Sequence, residues 1–546
     1  MFKWVLLISS LTLFFSCSRK DSEEEYSLFR FNLAAPLTSL DPAFASDQPN
    51  SWAVSQLYNG LVQLDDRLQI VPAIAKNWDI SPDGLTYTFH LRTDVSFQKD
   101  ACFEKEERRV IAGDFVFSFE RLLDPSTAAR GFWVFDNLVA DEKPFKAIND
   151  STLVISLRVP FSPFLQRLAM PYCSVVPHEA VAEYGKDFRS HPVGTGPFRF
   201  HKWIEGNILI LHKQDGYFEK DDDGNTLPYI DVVNVRFVQN KSTEFLQFMN
   251  RELDFVSDID ASLKDQVLTR DGQLREEYKE RFVLLKGPYL NVEYLTVLMD
   301  FGAPVMAQNP LVFPEVRKAI NYSINREEML LFMRNNRGTP GTAGMVPPSL
   351  YTDPLGQDFG YTYDPAMASE LLEEAGFPGG VGLPAITLHT TAEYTGLATY
   401  LKDKLEDIGL ALSIEVVDPR VLRELRVNKE TAFFRGSWIA DYSDPESYLQ
   451  IFYGQNGAPP NYSRYSNPIY DSLYVMAVAE TDPVERNLIY RSLDSIMMAD
   501  APVVPLYYDE VYRFTRKGIR GLEPDAMNML KLKYVRMEES ASAQAQ

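Results

Sequence analysis

The chain has 546 residues, a formal net charge of −22, 45% apolar and 24% charged residues. That charge makes nucleic acid and acidic lipid headgroups poor partners, and the apolar fraction is that of a globular protein. The 28 Tyr and 35 Phe fit a large core, with rings to spare for a polar-ligand cleft.

The first element is a leader. Met1-Phe2-Lys3 is a short positive segment, residues 4–15 are apolar and uncharged, and the small Ser16 precedes Cys17. This order reads as a secretory signal peptide, too short to span a bilayer, which takes about 20 residues. Cys17 reads as the lipid acceptor of a lipobox, although Phe14 and Phe15 stand where Leu and a small residue are usual. An ordinary secretion signal with an incidental cysteine is the other reading. Residues 18–25 are polar and charged and read as a flexible tether. About 530 residues follow the leader, enough for two or three domains. Cys102 and Cys173 are the remaining cysteines; export makes them a candidate disulfide, with two separate buried thiols as the alternative.

Alternation predicts a first strand over 26–33, and helical spacing predicts a helix over 51–64. Residues 77–91 read as strand, Asp-Gly turn and strand. A helix is expected over 112–123, a strand over 153–157, a helix over 161–168 and a strand pair from 192 onward. Residues 232–238 alternate strictly. A helix behind a serine cap is expected over 242–249, and a long helical region over 313–334. Residues 364–375 form a helix with Asp as cap, Pro in the first turn and Gly376 after the end. Strand, helix and strand follow over 385–390, 394–408 and 412–417, then a helix over 483–499 and a strand over 503–508. The pattern is mixed α/β without strict alternation, and its widely separated strands imply domains that the chain leaves and re-enters.

Enzyme signatures are missing. The six histidines form no HExxH pair, and neither a GxSxG elbow nor a P-loop lysine occurs. Gly194-Thr195-Gly196 runs into Pro197, unlike a dinucleotide fingerprint. Asp221-Asp222-Asp223-Gly224 resembles a calcium loop, but its twelfth position is Ile230 where a bidentate Glu is needed; it reads as a tight turn. No metal or cofactor is expected.

The ordered motifs resemble those of the family 5 extracellular solute-binding proteins of ABC importers. They begin at Ser39-Leu40-Asp41-Pro42, Tyr58-Asn59-Gly60-Leu61, Val71-Pro72-Ala73 and Trp78. They continue at Ala112-Gly113-Asp114-Phe115, Pro192-Val193-Gly194-Thr195-Gly196-Pro197 and Leu227-Pro228-Tyr229. They end at Val316-Arg317, Ile324-Asn325-Arg326, Glu374-Ala375-Gly376 and Trp438-Ile439-Ala440-Asp441-Tyr442. The resemblance implies a two-lobed type II periplasmic-binding-protein fold with an extra inserted domain, mixed sheets and a hinge. Domain I would comprise 26–58, 191–288 and 509–546, domain II 59–190, and domain III 289–508.

It also implies a site. Asp441 matches the aspartate that holds a peptide's α-ammonium, a charge that must be paired once removed from water. Gly436, Ser437, Trp438, Ile439 and Ala440 would offer main-chain groups to a peptide added as a strand, with Trp438 packing on the ligand. Arg435 matches an arginine that meets the carboxylate of short peptides. Tyr289, Tyr294 and Tyr508 are further candidates. Gln48 stands where an apolar residue is expected near the ligand, and Thr395 and Pro419 replace a histidine and a tryptophan of the pocket. The charged stretch 98–109 is expected to reshape the edge of domain II. Asp444, ahead of Pro445, is the better helix cap than Asp441.

The implied function is peptide capture, without chemistry, for an importer's permease and ATPase, by a monomer held at the periplasmic membrane or the outer surface by lipid alone. A non-peptide ligand on the same fold (nickel chelate, haem, sugar or opine) and a surface sensor or adhesin are the alternatives.

Overall fold

The computed structural model describes residues 26–105, 107–351 and 359–538. The expected leader and tether lie outside the described residues. No helix among the described residues is long and apolar enough to cross a membrane.

The chain begins with strand β1 (Leu28–Asn32) and a helix over Gln48–Leu57. That helix stops short of expectation: residues 62–64 form β2 (Val62–Leu64), which pairs with β3 (Ile70–Pro72). Asn59-Gly60 breaks the helical pattern, and Leu61 and Val62 beyond it are buried in an extended chain. A four-stranded antiparallel sheet follows, β4 (Ala75–Ile80), β5 (Thr86–Leu91), β6 (Phe145–Asn149) and β7 (Thr152–Ser156), in the order β4-β5-β7-β6. The helix Ala112–Leu123 packs on it.

The chain then enters one large sheet through β8 (Phe198–Ile204), β9 (Ile208–Lys213), β10 (Val232–Arg236) and β11 (Phe255–Ser257). Next come the long β12 (Phe282–Val297), the two-residue β13 (Thr339–Pro340), β14 (Ile386–Thr390), β15 (Leu412–Val416), β16 (Phe433–Ile439) and the long β17 (Val503–Arg516). The order is β15-β14-β16-β12-β17-β11-β1-β10-β9-β8, with β13 on β17.

Strands β12 and β17 carry this sheet across the molecule. Their register runs from Phe282↔Arg516 to Pro288↔Glu510, shifts, and resumes at Val292↔Tyr508. On the first stretch β17 also pairs with β11; on the second, β12 also pairs with β16. Two lobes therefore hang on the same pair of strands, which is the two-lobed type II fold expected from the motifs.

The apolar core follows this division, with one difference. A single cluster runs from Phe29 and Phe31 through Trp52 to Phe89, Phe115 and Phe164, so the expected domains I and II have one continuous core. The second lobe holds its own clusters around Ile320 and Leu388 and around Tyr448 and Tyr490.

Three further expectations are corrected. Asn240, not a serine, caps the helix Lys241–Met249, because its side chain reaches the Thr243 N–H at 2.8 Å. The long helical region over 313–334 is two helices, Pro314–Ser323 and Arg326–Arg334, with Asn325 capping the second through the Glu328 N–H. The candidate disulfide is absent: Cys102 and Cys173 are free thiols, and the buried Cys173 donates to the Arg167 carbonyl at 3.5 Å.

Several motifs turn out to be framework. Asp41 caps its own turn and forms a two-pronged ion pair with Arg121, at 2.9 and 2.5 Å. Gly194 passes so close to the Leu57 carbonyl that a Cβ would lie 1.9 Å from its oxygen. The Asn59 N–H donates to the Thr195 hydroxyl at 3.1 Å. The buried Arg326 donates to the Pro505, Tyr361 and Asn321 carbonyls at 2.6, 3.0 and 3.1 Å. In the charged stretch 98–109, Arg108 pairs with Asp114 and Glu179 at 2.6 and 2.7 Å. It thereby fills the one group of metal-ligand type among the described residues, Asp114, His178 and Glu179. Asp221 closes a tight turn on the Asn225 N–H at 2.7 Å, with Gly224 at φ +84°.

Candidate functional site

Strand β16 sets the site. Its register with β12 runs from Phe433↔Val297 to Ile439↔Asn291. Its other edge meets β14 only at Phe433 and Phe434. From Arg435 to Ile439 that edge carries no strand among the described residues, so main-chain donors and acceptors stand open along it. Ser437, Ile439 and Asp441 alternate outward, and Ile439 is 52% exposed. Gly436 packs over the Tyr294 ring, where a Cβ would sit 3.1 Å from ring carbons.

The strand ends in a loop that holds Asp441. The Ala440 N–H donates to the Leu290 carbonyl at 2.8 Å. Ser447, fully buried, accepts the Trp438 indole N–H on its carbonyl at 2.7 Å and the Asp441 N–H on its hydroxyl at 3.0 Å. Asp444 accepts the Glu446 N–H at 2.9 Å ahead of the helix Glu446–Leu449, whose N-cap is Pro445 without a side-chain cap bond. The expected Asp444 cap is thus replaced by Pro445, and the Asp441 carboxylate takes no part in the helix start either. Asp441 reaches solvent, yet the surrounding protein pushes its carboxyl up to about 6, with Arg167 opposing the shift and Glu446 adding to it.

The loop that holds Asp441 packs against Arg167 through Tyr442. Arg167 donates from Nη2 to the Tyr442 hydroxyl at 3.2 Å. Glu446 takes hydrogen bonds from the Tyr442 and Tyr474 hydroxyls. Tyr172, 8% exposed, feels both Asp441 and Asp47, and its hydroxyl is pushed up to about 12 chiefly by burial. The Ser162 N–H donates to the Val478 carbonyl at 2.8 Å. A cavity of about 250 Å³ lies between Asn59, Gln63, Met170, Pro171, Tyr217 and Met529; Asp441, Arg167 and Tyr172 do not line it.

The other expected residues divide. Arg435 is engaged: its Nη2 meets Glu293 at 2.6 Å, and its guanidinium lies 3.5 Å from the centre of the Tyr394 ring. Burial pushes Glu293 up to about 7 against the pull of Arg435. Trp438 is half-buried and tied by its indole N–H. Tyr289 is half-buried and close enough to Tyr448 to act on its hydroxyl, as Asp441 also does. Tyr294 and Tyr508 are core residues, because their rings fill the second lobe; Tyr508 also donates to the Gly344 carbonyl at 2.7 Å. Gln48 is exposed at the start of its helix, and Thr395 and Pro419 open helices of the second lobe. Arg167, Tyr172 and Tyr448 were not expected. Each lies in a motif-free stretch or in the shadow of Asp441, and only the meeting of distant segments brings them together.

A two-lobed fold with an open strand edge and an unspent carboxylate at its end defines a ligand-binding protein of the periplasmic type. The chain belongs to the bacterial extracellular solute-binding proteins, family 5, whose model matches residues 69–460. It is 28% identical over 493 residues, 89% of each chain, to the glutathione-binding protein GsiB of Salmonella paratyphi A. It is 27% identical over 496 residues, again 89% of each, to GsiB of Escherichia coli O157:H7. Among solved structures, DppA of Helicobacter pylori in complex with peptide STSA superposes with a TM-score of 0.73 at 26% identity, covering 95% of this chain and all of that one. HbpA2 of Haemophilus parasuis shares the fold, with a TM-score of 0.80 at 21% identity over 94% of this chain and all of that one.

Proposed function

We propose that this chain is the substrate-binding component of an ABC importer, that it captures peptides between its lobes, and that the peptide adds as a strand to β16 with its α-ammonium on Asp441. The open edge from Arg435 to Ile439, ending at an Asp441 carboxylate that caps nothing, carries this reading. Backbone pairing supplies affinity without regard to side chains, and the carboxylate supplies the charge that an ammonium needs on leaving water. Peptide STSA in DppA and glutathione, named for GsiB, support short peptides as the first ligands to test.

Calorimetry with a short peptide and its N-acetylated twin tests the proposal. Asp441→Asn is expected to cost about 2–5 kcal/mol for the free-amine peptide, roughly 30- to several-thousand-fold. Equal binding of the acetylated twin would remove the ammonium role. Native mass spectrometry of the purified protein is expected to show a ladder of peptide masses, unchanged on incubation because the protein does no chemistry on them. A single non-peptide mass would move the chain to another ligand class.

The lobes would hinge where β12 and β17 change register, at Pro288 to Val292, which is where the proposed domain boundaries 288/289 and 508/509 lie. The protein would act as a monomer in the periplasm, tethered through a lipid on Cys17. Cys17→Ser is expected to move the protein from the membrane to the soluble fraction; retention at the membrane would refute the anchor.

A further inference from the structure

Strands β1, β8, β9 and β10 turn one face to the core and one face outward. Phe29, Phe31, Leu209, Leu211, Val233 and Val235 are buried on the inner face. Residues directly opposite one another across a ladder share a face, so the register assigns the outer one. It pairs Arg199↔His212 and Ile204↔Ile208 between β8 and β9, His212↔Val232 and Ile208↔Arg236 between β9 and β10, and Leu28↔Val232 and Arg30↔Asn234 between β10 and β1. A register shift between Phe200 and Lys202 sets Lys202 opposite Ile210, on that face too. His201, at the shift, stacks its ring on His212 at 4.2 Å. Arg199, His201, Lys202 and Ile204 are exposed, Ile204 to 43%. The chain holds 76 acidic residues, yet these four strands hold none. Arg30 and Arg236 are answered from outside the strands, by Asp254 and Glu252. Arg199 and Lys202 have no ion-pair partner among the described residues, and Glu205 in the neighbouring turn is taken by Arg189 at 2.7 Å.

A basic sheet face with isoleucines at its centre is thus open on a chain whose net charge is −22. Salt screens charge beyond about 8–10 Å, so Arg199 and Lys202, not the net charge, decide what this face attracts at contact. The net charge still opposes the approach of an anionic surface, which must therefore be held nearby. Chain connectivity does this. β1 is the first strand after the polar segment that follows Cys17, and Ser27 is fixed at the corner of the face, its N–H and hydroxyl donating to Asp231 at 2.9 and 2.8 Å. Residues 18–27 reach at most about 35 Å from a lipid on Cys17, and such a tether keeps the face at high effective concentration beside the bilayer. We propose that the outer face of β1, β10, β9 and β8 lies on the bilayer that holds the anchor. Arg199 and Lys202 meet anionic headgroups, and Ile204 and Ile208 turn toward the acyl boundary. The lobe that carries the tether is then oriented on the membrane rather than swinging free.

This placement rests on the lipid anchor proposed for Cys17, and one experiment separates the two. The full lipidated chain is reconstituted on phosphatidylcholine vesicles with and without one third phosphatidylglycerol, and an amine-acylating reagent followed by mass spectrometry reads each lysine. Each basic side chain near an anionic surface strengthens attachment roughly fivefold. Lys202 is expected to be acylated about fivefold more slowly on the anionic vesicles, while Lys146, exposed on β6, is acylated equally on both. Arg199→Glu combined with Ile204→Glu, its folding checked by a melting curve, is expected to restore the Lys202 rate. Equal Lys202 rates on the two vesicles overturn the placement and leave the anchor standing, as does a Lys202 rate that stays slow in the folded variant. Slow acylation on both vesicles and in detergent would mean that residues 21–25, four of them acidic, cover the face instead, and overturns it as well. A chain that floats with neither vesicle defeats the anchor and the placement together.

Discussion

On the proposed reading, Asp441 has two chemical lives, depending on whether a ligand is present. Alone, it is a carboxylate crowded by protein, and its proton affinity is raised from 3.8 to about 6. Because the folded value is raised, this group's contribution to stability grows as pH falls from above 6 toward its ordinary value and is lost as pH rises through 6. An ammonium ligand reverses the preference, since it needs the charged form. Peptide affinity is therefore expected to weaken by about tenfold between pH 7 and pH 5, the linkage of a single proton. Titrations at the two pH values check this, and Asp441→Asn should flatten the dependence. Arg435 shows the converse: a residue well placed along the strand whose charge is already met by Glu293. The spacing of Arg435 and Asp441 could be read in the sequence, but which of the two charges remains available depends on a partner 142 positions away.

At the scale of elements, local signals served well where local chemistry decides. Asp364 caps the helix Pro365–Glu374 through the Met367 N–H, and Gly376 follows at φ +87°, as the cap and stop residues imply. The turn at Ser81 to Leu85 is closed by Asp83 and Gly84. Local signals failed where burial is delivered by distant chain, as at residues 62–64, where Val62 and Leu64 suit helix and strand equally. The Pro192–Pro197 motif is explained only by its neighbour: Gly194 and Gly196 lie against the end of the helix Gln48–Leu57 with no room for a side chain. Gly194→Ala is expected to destabilise the fold by about 1–3 kcal/mol through overpacking, read as a lower midpoint in urea, without altering peptide selectivity. A midpoint equal to that of the unaltered protein would show that the helix end yields.

Over the whole molecule, two strands carry both lobes, so motion between the lobes has few places to occur. The shift between Pro288 and Val292 is bordered by the Arg334–Asp509 ion pair at 2.6 Å and by Asn291, whose amide reaches Asp509 at 3.3 Å. On the proposed reading, a ligand that touches both lobes would favour closure by its differential affinity for the closed arrangement. Small-angle scattering is expected to show a smaller radius of gyration on adding a free-amine peptide and no change with its N-acetylated twin. Closure by both would take Asp441 out of the trigger.

The sequence by itself determined the family and the two-lobed fold, because motif order and alternation need no coordinates. It also pointed to Asp441 as a candidate, through the motif Trp438-Ile439-Ala440-Asp441-Tyr442. Only the tertiary structure decided that the edge of β16 is open, that Arg435 is engaged, that Tyr294 and Tyr508 are core, and that Arg167 meets the Tyr442 hydroxyl. Those facts join residues as far as 275 positions apart. Whether a charge is spent or free depends on partners that only folding brings within reach.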